Sequence, residues 1–144
     1  SSFWQQNQTS QSIVSWRGFA FEEVCLLHIN QIKQAIGIQG VSSRQSSWAV
    51  AGNDEQDGAQ IDLVIERADH IVNLCEMKFY GESFSVDKAY FQKMNYREKM
   101  LTEKISRKDV VHSILVTTYG LIYNEYSGIF QHVITLDDLF KETK

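Results

Sequence analysis

The sequence predicts an α/β domain, a β-sheet covered by helices on both faces. Three observations predict it. Helical and strand signals alternate along the chain, the strand segments are near-continuous apolar runs, and 43% hydrophobic with 12% aromatic residues can fill a core in 144 residues. That length suits one compact domain. No run approaches the ~18 apolar residues of a membrane span, and the N-terminus lacks a charged-then-apolar signal pattern, so no membrane partner is expected. The chain begins at Ser1 without a Met, so the expected object is a domain of a longer protein.

Residues 1–15 are polar and glutamine-rich and read as a linker or N-terminal arm, with Phe3 and Trp4 as a candidate anchor; the folded domain is expected over 16–144. Residues 17–36 place Phe21, Val24, His28, Ile32 and Ile36 near helical spacing, and Gly37 is a plausible stop. A short strand is expected around Ser47–Ala51, then a loop at "NDEQDG", 53–58. The stretch "AQIDLVIERADHIVNLCEMKFY", 59–80, reads as two apolar strands around a short turn. A long helix is expected from about Ser85, with Ser85 as its N-cap and Ala89, Tyr90, Met94, Leu101 and Ile105 as its buried stripe. Residues 110–118 form a β-branched strand, "YNEYSG" a turn, "IFQHVI" another strand, and Thr135 is placed to cap a last short helix.

Cys25 and Cys75 lie far apart in apolar surroundings, which reads as two reduced, buried thiols in a cytoplasmic protein. There is no CxxC pair, and the four His have no zinc-like spacing. His28, on the helical stripe, reads as a core histidine. The net charge of −4 is unevenly spread. Residues 50–82 carry eight acids and two bases, whereas 88–108 carry seven bases and two acids. An acidic centre beside a basic segment differs from a uniformly acidic surface.

The acidic centre holds the unusual chemistry. If Ala68, Asp69 and His70 make the turn, Arg67 faces Ile71 and Asp62 falls opposite Glu76, with Lys78 on the same face and Met77 on the other. A two-residue loop would set Asp62 against Cys75 instead. Opposed carboxylates in apolar surroundings repel and lose solvation. Either one holds a proton at a raised pKa, or a divalent cation joins them. The plainer alternative leaves both acids solvated at strand ends, with Lys78 as an ion-pair partner. Other chemistries lack their motifs: there is no G-x-S-x-G, and no GxxxxGK[ST] to make this chain an ATP site.

"IDLVIERADHIVNLCEMKF", 61–79, resembles the D…(D/E)-x-K signature of the PD-(D/E)XK nuclease superfamily, and "WRGFAFE", 16–22, resembles the G-x-x-F-E helix of the same superfamily. The pattern is most similar to the nuclease-like domain at the C-terminus of bacterial and archaeal AAA-type ATPases, over about Trp16 to Phe140. Ile61 stands where the motif's name has Pro. The resemblance implies a restriction-endonuclease-like fold, a central mixed β-sheet flanked by helices with a helix-strand-strand-strand-helix-strand core. It implies Mg²⁺ or Mn²⁺ at Asp62 and Glu76, with the Met77 carbonyl as a further ligand. Lys78 would be catalytic, and Glu22, favoured over Glu23 by the motif spacing, a ligand or base; Gln60 has a supporting place. The implied activity is hydrolysis of DNA phosphodiester bonds. Lys88, Lys93 and Arg97, in the basic segment, are the candidate DNA contacts. Implied partners are DNA and an ATPase domain of the same parent chain, and a homodimer is one assembly allowed. The competing expectation is an inactive module that binds DNA or protein for that ATPase.

Overall fold

The computed structural model describes residues 17–18, 20–52 and 57–143. The expected arm at 1–15, Trp16, Phe19 and most of the "NDEQDG" loop lie outside them.

Five strands form one mixed sheet in the order β1-β2-β3-β5-β7, comprising β1 (Ser43–Val50), β2 (Ala59–Arg67), β3 (Ile71–Lys78), β5 (Val110–Thr117) and β7 (Phe130–Thr135). The β1–β2 and β2–β3 pairs are antiparallel, while β3–β5 and β5–β7 are parallel. The first helical segment, α1, covers residues 20–27 and is followed by α2 (Ile29–Ala35). Helix α3 (Lys88–Lys104) makes the crossover from β3 to β5, and α4 (Leu136–Leu139) closes the chain. Two short strands, β4 (Phe84–Ser85) and β6 (Leu121–Ile122), pair beside the main sheet.

The sheet is covered on both faces, as its continuous apolar strands require. On one side, Phe21 and Cys25 of α1, Ile32 of α2 and Leu139 of α4 pack with Leu63, Ile65, Met77 and Ile114. On the other, Met94 and Leu101 of α3 pack with Val64, Val72, Leu74 and Leu115.

Local chemistry accounts for most boundaries. Gly37, at φ 76°, ends α2 in a Schellman arrangement, with Ile38 N–H on the Lys33 carbonyl and Gly37 N–H on that of Gln34. The β2–β3 turn is Ala68-Asp69-His70, with His70 in the left-handed region at φ 67°. A three-residue hairpin loop of this kind needs such a residue in its last position. Asp138 accepts from the Thr135 N–H at 3.0 Å and hydroxyl at 3.3 Å, opening α4.

Five expectations are corrected. The helix over 17–36 breaks at His28, whose Nδ1 lies 2.6 Å from the Val24 carbonyl and whose N–H tightens onto the Cys25 carbonyl. His28 is only half-buried, packed edge-on against Phe140. The first strand starts four residues earlier, at Ser43 rather than Ser47. Helix α3 is capped by Asp87, whose carboxylate accepts from Tyr90 N–H at 2.7 Å, because Ser85 is committed to β4. Ala89 is exposed, whereas Met94 and Leu101 of the expected stripe are buried together with Met100, and Tyr90 and Ile105 are partly buried against the same core.

Candidate carboxylate–lysine site

The hairpin register is the one its turn dictates: Leu63 pairs with Cys75, Val64 with Leu74, Ile65 with Asn73 and Glu66 with Val72. The pairing stops one step short of Asp62 and Glu76. There β2 bulges, since Asp62 and Leu63 together oppose Ser47 alone of β1. The bulge turns Ile61 to the α3 face and frees Asp62 from the ladder. The simple picture of a directly opposed Asp62–Glu76 pair is thus modified, but the two remain close enough to repel.

Four predicted residues meet at this end of the sheet. Glu22, on α1, projects from the turn that buries Phe21 and Cys25 and lies close enough to Asp62, Glu76 and Lys78 for their charges to act on it. Partial burial and the Asp62 carboxylate hold its pKa above the usual carboxylate range. Glu76 is 9% exposed; burial, reinforced by Asp62, raises its pKa against the opposing pull of Arg97 and Lys78. Lys78 lies half-buried, with Nζ 5.3 Å from the centre of the Tyr90 ring. Gln60 Nε2 donates to Asp62 Oδ1 at 2.7 Å, which orients that carboxylate.

The basic candidates divide. Arg97 Nη1 donates to Glu76 Oε1 in an ion pair whose side chains are 14% and 11% exposed. Arg97 and the exposed Lys93, one helical turn apart, line a cavity of about 500 Å³ with Gln60 and Tyr96. Lys88 opens α3 on an exposed position. A second cavity, of about 420 Å³, lies against Glu22, Lys78, Arg17, Phe79 and Tyr80. Asp62 and Glu76 line neither cavity themselves: their partners Gln60 and Arg97 line the first, and Glu22 and Lys78 line the second.

Sequence reasoning overlooked the role of Tyr90 as a wall of the site, where its buried hydroxyl has no hydrogen-bond partner among the described residues. It also placed Arg97 among outward-facing bases. The spacing held the missing signal, because Tyr90, Met94 and Arg97 stand at i, i+4 and i+7, one helix face.

The donor set suits a hard divalent cation. Glu22, Asp62 and Glu76 are all oxygen donors, and burial, with the neighbouring Asp62 carboxylate, raises the pKa values of Glu22 and Glu76. No group of three or more His, Cys, Asp or Glu is gathered as a ready-made cage among the described residues. Mg²⁺ needs no such cage; it takes one or two carboxylates and completes its shell with water and phosphate oxygens.

No helix among the described residues is long and apolar enough to cross a membrane. No family model matches the chain. No curated protein matches it. Among solved structures, a protein of unknown function, AF1548, is similar at TM-score 0.45 and 15% sequence identity. The match covers 76% of this chain and 61% of that one, and at this similarity it assigns neither fold family nor activity.

Proposed function

We propose that this domain is a divalent-metal-dependent nuclease of the PD-(D/E)XK type, with a restriction-endonuclease-like fold, hydrolysing phosphodiester bonds in DNA. The supporting observation is the convergence of Glu22, Asp62, Glu76 and Lys78, drawn from α1, β2 and β3, on one end of the sheet. Asp62 and Glu76 would hold Mg²⁺ or Mn²⁺, with Glu22 adjacent. When bound, the ion supplies Lewis-acid polarisation of the phosphate and acidifies a water.

The chain's own residues supply the rest. Gln60 fixes the Asp62 carboxylate through one oxygen, leaving the other available. Glu22, with its raised pKa, is suited to take a proton from the attacking water. The Lys78 ammonium, steadied over the Tyr90 ring, stabilises negative charge developing on the phosphate. Lys93, with Lys88 at the start of the same helix, adds sequence-independent attraction for the DNA backbone. Arg97 must yield or share Glu76 when a cation binds.

That ion pair favours a second reading. A buried guanidinium already neutralises Glu76, as in a module that keeps the fold without turnover and binds DNA or protein for an attached AAA-type ATPase. Calorimetric titration with Mn²⁺ and Mg²⁺ separates the two. Under the nuclease reading the wild-type domain binds metal, Glu76→Ala abolishes it, and metal-dependent DNA cleavage is lost in the same variant. Absence of binding in the wild type, with and without DNA, would discard the nuclease reading in favour of the module.

A further inference from the structure

Exposed rings are concentrated on this molecule. Phe79 (45% exposed), Tyr80 (44%), Tyr119 (62%) and Tyr123 (79%) sit on two short segments, 79–80 and 119–123. These segments are bound to each other. Tyr80 N–H donates to Thr118 Oγ1 at 2.9 Å, Ser83 Oγ to the Tyr119 carbonyl at 3.3 Å, and Phe84 N–H to the Gly120 carbonyl at 2.8 Å. The β4–β6 pairing continues the connection. One exposed ring is ordinary on a protein surface, whereas four on hydrogen-bonded segments are a concentration; the Phe79 ring rests edge-on against Phe21 and the Tyr80 ring against Phe84, and both stay nearly half exposed.

The patch is continuous with the candidate site. Phe79 and Tyr80 directly follow Lys78, and both line the cavity of about 420 Å³ that also touches Glu22 and Arg17. Phe79 and Tyr80 therefore share that space with Arg17 and Lys78, and Tyr119 and Tyr123 lie on the segment bound beside them.

We infer that this surface stacks unpaired nucleobases, so that the nucleic acid reaching the carboxylates is single-stranded or locally unpaired rather than an intact duplex. The inference rests on the nuclease reading and specifies its substrate class. A base inside a duplex is stacked on its neighbours and presents no free face. An unpaired base offers a π-face that any ring accepts, whatever the sequence. Phenylalanine and tyrosine immobilise few torsions when they stack, so little entropy opposes the contact. The backbone of the same strand then passes Arg17 and Lys78, whose charges complement its phosphates.

The test compares a fluorescent oligothymidylate of about 16 nucleotides, the upper end of single-strand site sizes, with a duplex of equal length by anisotropy in Ca²⁺. Wild type, Tyr80→Ala, Tyr119→Ala and Tyr119→Phe are used. The single strand is expected to bind at least tenfold more tightly than the duplex. Each alanine should weaken single-strand binding by about fivefold or more, the weak end of base–aromatic stacking, and leave duplex binding unchanged. Tyr119→Phe, which keeps a ring, should retain wild-type affinity and guards against a folding defect.

Equal or tighter duplex binding, or alanine variants that bind the strand normally, would overturn the inference. So would a wild-type dimer that Tyr119→Ala converts to monomer with strand binding intact, which would assign the surface to a second copy of the chain. The Mn²⁺ titration reports separately: metal binding without strand preference defeats this inference alone, and loss of both metal and DNA binding defeats the nuclease reading beneath it.

Discussion

Removing Arg97 tests the centre of the site without touching a carboxylate. Arg97→Met keeps much of the aliphatic stem and deletes the charge. The side chains of Arg97 and Glu76 are 14% and 11% exposed, so the variant leaves a buried carboxylate with Lys78 as its remaining nearby cation. Deleting one partner of a buried pair costs about 3–5 kcal/mol, because the other charge stays desolvated. Domains have about 5–15 kcal/mol in total. At ~2–4 °C per kcal/mol for this size, Tm should fall by roughly 6–20 °C near neutral pH.

The effect has a defined pH sign. Burial raises the Glu76 pKa, and Arg97 acts to lower it, so the variant raises it further. A carboxyl with a raised folded pKa favours the folded state when protonated. The penalty is therefore full above that folded pKa and shrinks as pH falls toward the unfolded value of about 4.3. Thermal melts of wild type, Arg97→Met, Glu76→Gln and the double variant, near neutral pH and about two units lower, measure both the coupling and its pH dependence. Glu76→Gln should restore most of the stability that Arg97→Met removes. A loss within about 0.5 kcal/mol, the ordinary range for surface changes, would refute the reasoning. So would an equal loss in the Glu76→Gln background, which would put the cost in packing.

Three further outcomes follow from the same geometry. Mn²⁺ affinity should weaken as pH is lowered from neutral, beginning above the ordinary carboxylate range, because protons compete for Glu76; titrations at several pH values check this, and a pH-independent affinity would exclude Glu76 as a ligand. Asp87→Ala should cost about 0.5–2 kcal/mol in denaturant unfolding, since it removes the acceptor for Tyr90 N–H at the start of α3. Neither cysteine should react with iodoacetamide in the folded protein near neutral pH: burial pushes the Cys25 thiol up to about 12, and Cys75 is enclosed as well. Rapid native-state labelling at either position would contradict their placement in the core.

The local parts of this protein were legible because their causes lie within a few residues. A turn at 68–70 sets the hairpin register, and the register brings Asp62, Glu76 and Lys78 to one end of two neighbouring strands. Gly37 and the Thr135–Asp138 box mark helix ends by backbone and side-chain chemistry that any context would respect. The alternation of apolar runs and helical stripes sufficed for a mixed α/β layer structure. Where two local solutions competed, distant contacts chose between them. Ser85 and Asp87 are both fair caps, and the pairing of β4 with β6 removes Ser85 from the choice.

The sequence by itself thus determined which charged groups lie in the central hairpin and that desolvation would make them costly there. Only the tertiary structure decided how that cost is met. It placed a bulge at Asp62–Leu63, set Arg97 of α3 on Glu76, and bound the 79–80 and 119–123 segments side by side. Each of these relations links residues whose separation along the chain carries no periodicity or turn signal. They arise only once the helices have docked on the sheet, where burial makes an unpaired charge too costly to leave without a partner.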